Sequence, residues 1–296
     1  MKMKANPVAV LPSLCTLGNA LCGFAAITLT MKALAVAADL PAADYNLGRS
    51  EVMLAGYFVL LAMVFDALDG RLARIARATS DFGGQLDSVA DVVSFGVAPA
   101  FLMNRVVVES LKHTAPKEVM WVTWVCAAVY LGCALIRLAR FNVENEEDEE
   151  AHMSFKGLPT PAAAGMLVSV VIFLAACWQA NTYPRLTLAM LWLLPLLAVV
   201  LGLLMVSNVE YEHLLNHVFR KRRPISHLVV IVLTLAFAVL GLALVPMLWL
   251  VGLVAGFGGY ALSGPIIAAY RRMRGRGAAA EPEATLGEEN GPLGED

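Results

Sequence analysis

Four aspartates stand at fixed spacing in a largely apolar part of the chain, and carboxylates in such a setting are candidates for chemistry. Asp66 and Asp69 are three residues apart, and Asp87 and Asp91 are four apart. On helices, both spacings place the two carboxylates of a pair on one face. Carboxylates at membrane depth are costly and usually mark a functional site, and four that converge repel one another unless cations lie between them. Because hard divalent cations prefer oxygen ligands, the pattern predicts a Mg²⁺ or Mn²⁺ site.

Small residues and an arginine lie between the two aspartate pairs and add a second chemical signal. Gly70 and Gly83 remove side chains where a ligand or a neighbouring helix must approach the backbone, and Ala73 keeps the same surface low. Arg74 carries a planar guanidinium group that suits phosphate. Together these residues indicate a substrate that contains a pyrophosphate group. Buried ion pairs between the aspartates and the arginines of this segment are an alternative, but they leave the glycines and the alanine unexplained.

The composition indicates an integral membrane protein. Of the 296 residues, 59% are hydrophobic and 16% are charged, and the mean hydropathy is +0.68. In a soluble domain, roughly a quarter of the residues are charged. The five cysteines all fall in or beside apolar segments, which is not the pattern of an extracellular disulfide framework. We therefore expect membrane lipids around the chain and no nucleic-acid partner.

The apolar segments predict an all-α fold, a polytopic membrane helical bundle of about eight transmembrane helices. A span needs about 20 apolar residues. Segments of about that length lie at 14–37, 52–74, 84–107, 119–140, 160–180, 186–206, 226–245 and 247–270. We assign residues 1–275 to one integral-membrane domain. The remaining residues, 276–296, are rich in Ala, Gly, Glu and Pro and predict a disordered cytoplasmic tail.

The lysines and arginines predict the orientation of this bundle. Sixteen of the 22 fall at the two termini or in connections on one side of the expected spans. Since cytoplasmic loops carry the excess of Lys and Arg, both termini and the aspartate site are expected at the cytoplasmic face of the cell (inner) membrane. An acidic run at 144–150 on the same side is interpreted as a solvated tract.

The spacing across residues 66–91 resembles the signature of the CDP-alcohol phosphatidyltransferase family: D-x2-D-G-x2-A-R-x8-G-x3-D-x3-D. Four further segments are similar to the integral-membrane phosphatidylserine synthases, a branch of that family: LPSLCTLGNALCGF, SFGVAPA, LIRLARFNV and FKGLPTPAAAG. The resemblance covers roughly residues 7 to 165. It implies an enzyme that transfers a phosphatidyl group from CDP-diacylglycerol to L-serine and releases CMP. The family also often forms homodimers through transmembrane helices.

The resemblance assigns roles to the motif residues. In the family the first three aspartates coordinate the metals, and here these are Asp66, Asp69 and Asp87. The resemblance implies two ions, and it implies that Asp91 also faces the metal site and acts as general base on the acceptor alcohol. The residues that would bind CDP are Asp66, Asp69, Gly70, Ala73, Arg74 and Gly83.

Three basic residues are candidates for the acceptor or phosphate site. Arg137 and Arg140 lie near the inner end of the fourth expected span, where a guanidinium fork could bind a substrate carboxylate. They could equally extend to lipid phosphates. Lys156 lies in a segment with glycine and proline that predicts an ordered turn, and it could contact phosphate. The polar residues that could reach the nucleotide, or simply join helices, are Thr16, Asn19, Ser94 and Asn142.

Other functions stay open on the sequence alone. The same chemistry with glycerol phosphate or inositol phosphate as acceptor needs basic residues near the site, which Arg137, Arg140 and Lys156 could supply. An archaeal-type, ether-linked CDP-lipid would present the same headgroup. A divalent-cation transporter would place aspartates along its pathway, but it explains neither the two glycines nor Arg74.

Overall fold

The computed structural model describes residues 7–38, 48–76, 81–112, 114–147, 157–179, 184–209, 211 and 246–278, and no strand occurs in these ranges. The helices are α1 (Pro7–Ala38), α2 (Arg49–Ala76), α3 (Asp81–Asp91), α4 (Ala98–Leu111), α5 (Lys117–Glu147), α6 (Thr160–Gln179), α7 (Pro184–Val206) and α8 (Pro246–Ala278). A π-helical segment, Val92–Val97, joins α3 to α4. The all-α fold expected from the sequence is confirmed.

Seven helical stretches within the described ranges are long and apolar enough to cross a membrane. These stretches are Pro12–Ala33, Ser50–Leu72, Phe82–Leu111, Lys117–Val143, Thr160–Cys177, Arg185–Val206 and Leu248–Tyr270. They correspond to seven of the eight spans expected from hydropathy, and the third runs through α3, the π-helical segment and α4. The span expected at 226–245 and nearly all of the tail expected at 276–296 lie outside the described residues.

Helix α6 lies in the middle of the bundle, and α8 lies at its edge. Leu167, Val168, Val171 and Ile172 on α6 are fully buried, and α6 packs against α2, α7 and α8. A helix that is apolar all round must be surrounded by other helices or by lipid. In α8, by contrast, large apolar side chains such as Leu248 are exposed, as expected of a helix that faces lipid.

Helix α1 is held close to both segments that carry the motif aspartates. A Cβ at Gly18 would lie 3.1 Å from the ring of Phe65, and a Cβ at Gly23 would lie 2.8 Å from the Cα of Ser94. Phe65 directly precedes the first motif aspartate, and Ser94 follows the last one by three residues. The two glycines therefore permit α1 to pack between these segments at short distance.

The π-helical segment Val92–Val97 begins directly after the last motif aspartate. At its end, the N–H of Ala98 donates to the carbonyl of Val93, five residues earlier, instead of four. The Phe95 carbonyl accepts a hydrogen bond from the buried Tyr130 hydroxyl of α5 at 3.0 Å. Such turns are rare and occur frequently at functional sites, because they change the direction of side chains along a helix.

The segment that follows α7 is attached to α8 through Tyr211. The Tyr211 hydroxyl donates to the Ala261 carbonyl at 3.0 Å, and a Cβ at Gly264 would lie 2.6 Å from the tyrosine ring. Burial and the neighbouring Tyr260 raise the pKa of Tyr211 to about 12. The hydroxyl is therefore protonated at neutral pH and available as a hydrogen-bond donor.

The turn before α6 depends on a left-handed backbone at Gly157, where φ is +88°. The Gly157 N–H donates to the Val209 carbonyl at 2.8 Å, and the Leu158 N–H donates to the Leu204 carbonyl at 3.0 Å. A Cβ at position 157 would lie only 2.3 Å from the Met205 carbonyl oxygen. The turn is thus docked on the last turn of α7 in a conformation that requires glycine.

Gly157→Ala is expected to destabilise the protein by at least about 2 kcal/mol, because it combines backbone strain with a steric clash against a main-chain oxygen. The measurement is the thermal midpoint of the purified protein in detergent, followed by size-exclusion chromatography. Gly132→Ala on α5 is the matched control, because a Cβ there meets nothing within 4 Å and alanine favours a helix. Equal midpoints for the two variants would contradict this expectation.

Candidate metal centre

Three of the four motif aspartates form a compact three-carboxylate cluster: Asp66, Asp69 and Asp87. One oxygen from each lies within 4.8 Å of the others. The Oδ2 atom of Asp69 and the Oδ1 atom of Asp87 are buried and have no hydrogen-bond donor among the described residues. Buried carboxylate oxygens without donors are costly. An all-oxygen donor set at this separation fits a hard divalent cation, which would compensate that cost.

The helix spacing explains how the cluster forms. Asp66 and Asp69 lie one turn apart near the end of α2, and Asp87 lies on α3, which starts after the short connection 77–80. Helix α1 packs against both α2 and α3. The carboxylates on α2 and α3 are thereby brought to one place.

Asp91 is the last residue of α3. Among the described residues, it does not belong to the three-carboxylate cluster. Its side chain is buried, with 8% exposed. Its Oδ1 atom accepts a hydrogen bond from Nδ2 of Asn19 at 2.9 Å. A carboxylate whose orientation is fixed by an amide beside this carboxylate cluster is a candidate to accept a proton. Direct ligation of a metal by Asp91 stays a prediction.

The other residues expected to bind CDP lie close in sequence to the aspartates of the cluster. Gly70 directly follows Asp69 on α2, Gly83 lies one turn before Asp87 on α3, and both glycines are half-buried. Ala73 and Arg74 lie on the following turn of α2. Contact of these residues with a nucleotide stays a prediction.

Helix α1 presents two buried polar side chains to the aspartates, Thr16 and Asn19. The Thr16 hydroxyl donates to the Pro12 carbonyl at 3.1 Å, and the side chain lies next to the Asp69 carboxylate. Asn19 donates to Asp91. The sequence left open whether these residues serve the site or only join helices, and their neighbours favour the site. In the sequence, the signal for a role at the site is that these two polar residues are three apart on an otherwise apolar helix and so share a face.

Helix α5 reaches the aspartate-bearing α3 through Asn142. The Ser88 hydroxyl lies 3.0 Å from the Gly84 carbonyl oxygen and 3.0 Å from Oδ1 of Asn142, and can donate to either. Ser88 directly follows Asp87 in the cluster. The C-terminal end of α5 is therefore joined to α3 beside a proposed metal ligand.

The two α5 arginines each have a backbone partner. Arg137 Nε donates to the Leu158 carbonyl at 2.9 Å, and Arg140 Nη1 donates to the Val206 carbonyl at 3.5 Å. Both contacts join α5 to the turn before α6 or to the end of α7. Lys156 lies outside the described residues. The acceptor or phosphate contacts expected for the three basic residues stay predictions.

The comparisons with known proteins agree on one family. Residues 9–204 match the model of the CDP-alcohol phosphatidyltransferase family, a range that contains all four motif aspartates. Three relatives carry the name CDP-diacylglycerol–serine O-phosphatidyltransferase. The protein from Methanocaldococcus jannaschii is 35% identical over 54% of this chain and 65% of its own length. The proteins from Helicobacter pylori and Bacillus subtilis are 30% and 31% identical over 71% and 70% of this chain, and over 75% and 92% of their own lengths. The chain thus spans just under two thirds of the first relative.

Proposed function

Because the chain belongs to the CDP-alcohol phosphatidyltransferase family, we propose that it transfers a phosphatidyl group from CDP-diacylglycerol to L-serine, giving phosphatidylserine and CMP. The observation that carries the proposal is the Asp66–Asp69–Asp87 cluster inside a membrane-spanning helical bundle. The names of the three relatives support serine as the acceptor. The family assignment supports a CDP-activated donor, and the bundle lets the acyl chains of that donor stay in the membrane.

The metal site is proposed to hold two Mg²⁺ or Mn²⁺ ions through Asp66, Asp69 and Asp87, with Asp91 facing the site. The buried oxygens of Asp69 and Asp87 that lack a donor among the described residues support this assignment. When bound, the ions would supply the positive charge that polarises the diphosphate and neutralises the departing CMP. The carboxylates would hold that charge at one place in the bundle and so would orient the diphosphate before reaction.

Asp91 is proposed as the general base. It would accept the proton of the serine hydroxyl at Oδ2 as the serine oxygen attacks the phosphorus that bears diacylglycerol. The hydrogen bond from Asn19 occupies Oδ1 and leaves Oδ2 for this proton. No fixed position of the motif carries a Ser, Cys or His nucleophile, which favours direct attack and inversion at phosphorus.

The nucleotide and the acceptor are proposed to reach the site from the cytoplasm. Gly70, Ala73, Arg74 and Gly83 would line the CDP pocket. The two glycines and the alanine would leave room for the ribose and the phosphates, and the Arg74 guanidinium group would contact a phosphate. The excess of Lys and Arg on one side of the bundle supports a site at the cytoplasmic face of the inner membrane. The homodimer that the family resemblance implies is tested by cross-linking in native-like lipid.

The test of this function is CMP release by the purified protein with CDP-diacylglycerol and Mn²⁺ or Mg²⁺. Serine, glycerol 3-phosphate, inositol and inositol phosphate are compared as acceptors, each with and without a chelator. We expect release that requires both serine and a divalent metal. Release only with a phosphorylated acceptor would retain the metal site and overturn serine as acceptor. The absence of release with every acceptor, together with metal uptake into vesicles, would favour a cation transporter.

A further inference from the structure

Asn19 makes two hydrogen bonds that join α1 to the end of α3 and the residues after it. Its side-chain Nδ2 donates to Oδ1 of Asp91 at 2.9 Å, and its main-chain carbonyl accepts from the Ser94 hydroxyl at 2.8 Å. Asn19 and Ser94 have no exposed surface, and Asp91 is 8% exposed. Because water does not compete at such a depth, a hydrogen bond from an amide to a carboxylate is strong and directional there.

The elements on both sides of this hydrogen bond are already fixed by packing. Gly23 brings α1 against the backbone of Ser94, and Gly18 brings it against the ring of Phe65. On the other side of the π-helical segment, the Tyr130 hydroxyl donates to a main-chain carbonyl. The distance between Asn19 and Asp91 is therefore set by the fold, and the hydrogen bond has little freedom to shift.

The orientation of the Asn19 amide is also determined. If the amide were turned over, its oxygen would face the Asp91 carboxylate, and two acceptors would lie against each other. In the orientation that the structure has, Oδ1 of Asn19 is buried and finds no donor among the described residues. A buried acceptor without a donor costs roughly 1–3 kcal/mol. The contribution of this asparagine to stability is therefore poor, and its contact with Asp91 is the feature that distinguishes it from an apolar residue.

We propose that Asn19 is a positioning residue for the reaction: its amide holds Oδ1 of Asp91 so that Oδ2 alone is directed to the hydroxyl of the acceptor. A rotation of the carboxylate about its Cβ–Cγ bond would break the hydrogen bond until the two equivalent oxygens had exchanged places. Without Asn19 the carboxylate would sample orientations in which neither oxygen is in line with the hydroxyl. The inference rests on the proposed function, in which Asp91 is the base.

The test compares Asn19→Leu with the wild type by steady-state kinetics in detergent. Leucine has the same branching and the same number of side-chain heavy atoms, although its methyl groups are larger, and it cannot donate a hydrogen bond. We expect kcat to fall about ten- to hundredfold, as for other losses of orientation at a reacting group. The KM values for serine and for CDP-diacylglycerol should change by less than about threefold, since no binding contact is removed. Mn²⁺ binding, followed by electron paramagnetic resonance, should match the wild type.

A double-mutant cycle separates positioning from a general structural role. If Asn19 acts through Asp91, Asn19→Leu should have almost no effect on kcat once Asp91→Asn is present. Thr30→Val is the matched control, because Thr30 is a buried polar residue of the same helix whose hydroxyl donates only to the Ala26 carbonyl of its own helix. That variant should keep the wild-type kcat.

Three results would overturn the inference. These are a full additional loss of kcat in the Asp91→Asn background, a raised KM with unchanged kcat, and a loss of Mn²⁺ binding in Asn19→Leu. The test does not depend on serine. If CMP release requires a different acceptor, the proposal that serine is the acceptor is rejected. The same double-mutant cycle, measured with that other acceptor, still decides the role of Asn19.

Discussion

Asp69→Asn is expected to lower CMP release at least about a thousandfold. Asp69 is a buried member of the three-carboxylate cluster, and its Oδ2 atom has no donor among the described residues. The substitution removes one negative charge and one oxygen ligand, and it brings an NH₂ group towards the place of the cation. A metal contributes several kcal/mol to the stabilisation of charge in the transition state, and about 1.4 kcal/mol corresponds to a factor of ten in rate.

The measurement is CMP release over a wide range of Mn²⁺ concentrations, together with direct Mn²⁺ binding by electron paramagnetic resonance. Glu51→Gln is the matched control, since Glu51 is a carboxylate on the same helix that pairs instead with Lys32 at 3.6 Å. That variant should keep nearly all activity and all Mn²⁺ binding. In the absence of divalent cations, Asp69→Asn should unfold at the same temperature as the wild type or higher, because a repulsive charge is removed. Activity within about threefold of the wild type would contradict the assignment of Asp69 as a metal ligand.

Asp91→Asn is expected to retain CDP-diacylglycerol binding and to lose about 10²–10⁴-fold in kcat, the usual worth of general-base assistance. The asparagine has nearly the same shape, and its oxygen can still accept the hydrogen bond from Asn19. The three-carboxylate cluster is left intact, because Asp91 is not part of it. Mn²⁺ binding should therefore be close to that of the wild type, in contrast to Asp69→Asn.

This contrast is measured by titrating both variants with Mn²⁺ and with CDP-diacylglycerol, and by single-turnover CMP release, which reports on the chemical step. A wild-type rate in Asp91→Asn would exclude Asp91 as the base. If Asp91→Asn lost as much Mn²⁺ binding as Asp69→Asn, Asp91 would instead be a direct metal ligand like the other three aspartates.

The sequence contains the information for the spans and for the carboxylate cluster because both depend on local patterns. Apolar length predicts a span, and a spacing of three or four residues on a helix predicts that two side chains share a face. The aspartates at 66, 69 and 87 accordingly meet. The fourth, Asp91, instead accepts a hydrogen bond from Asn19, which depends on how α1 packs against α3 and is not predicted by local sequence.

Contacts between distant parts of the chain could not be predicted in this way. Asn19 and Asp91 are 72 residues apart, and their hydrogen bond results from how α1 packs against α3. The backbone partners of Arg137 and Arg140 depend likewise on where the turn at Gly157 docks. The π-helical segment also gives no signal in its composition, since a sequence such as VVSFGV can equally form an α-helix.

The π-helical segment gives this part of the chain one residue that it can lose without a change in the direction of the flanking helices. A π-turn accommodates one residue more than an α-helical turn in the same stretch. Removal of one residue between Asp91 and Ala98 would let the segment close into a regular α-helix, and α3 and α4 would keep their faces. Removal of one residue between Asp87 and Asp91, where the helix is regular, would instead turn these two carboxylates by about 100° relative to each other. The point at which one codon is lost therefore decides whether the two aspartates still share a face.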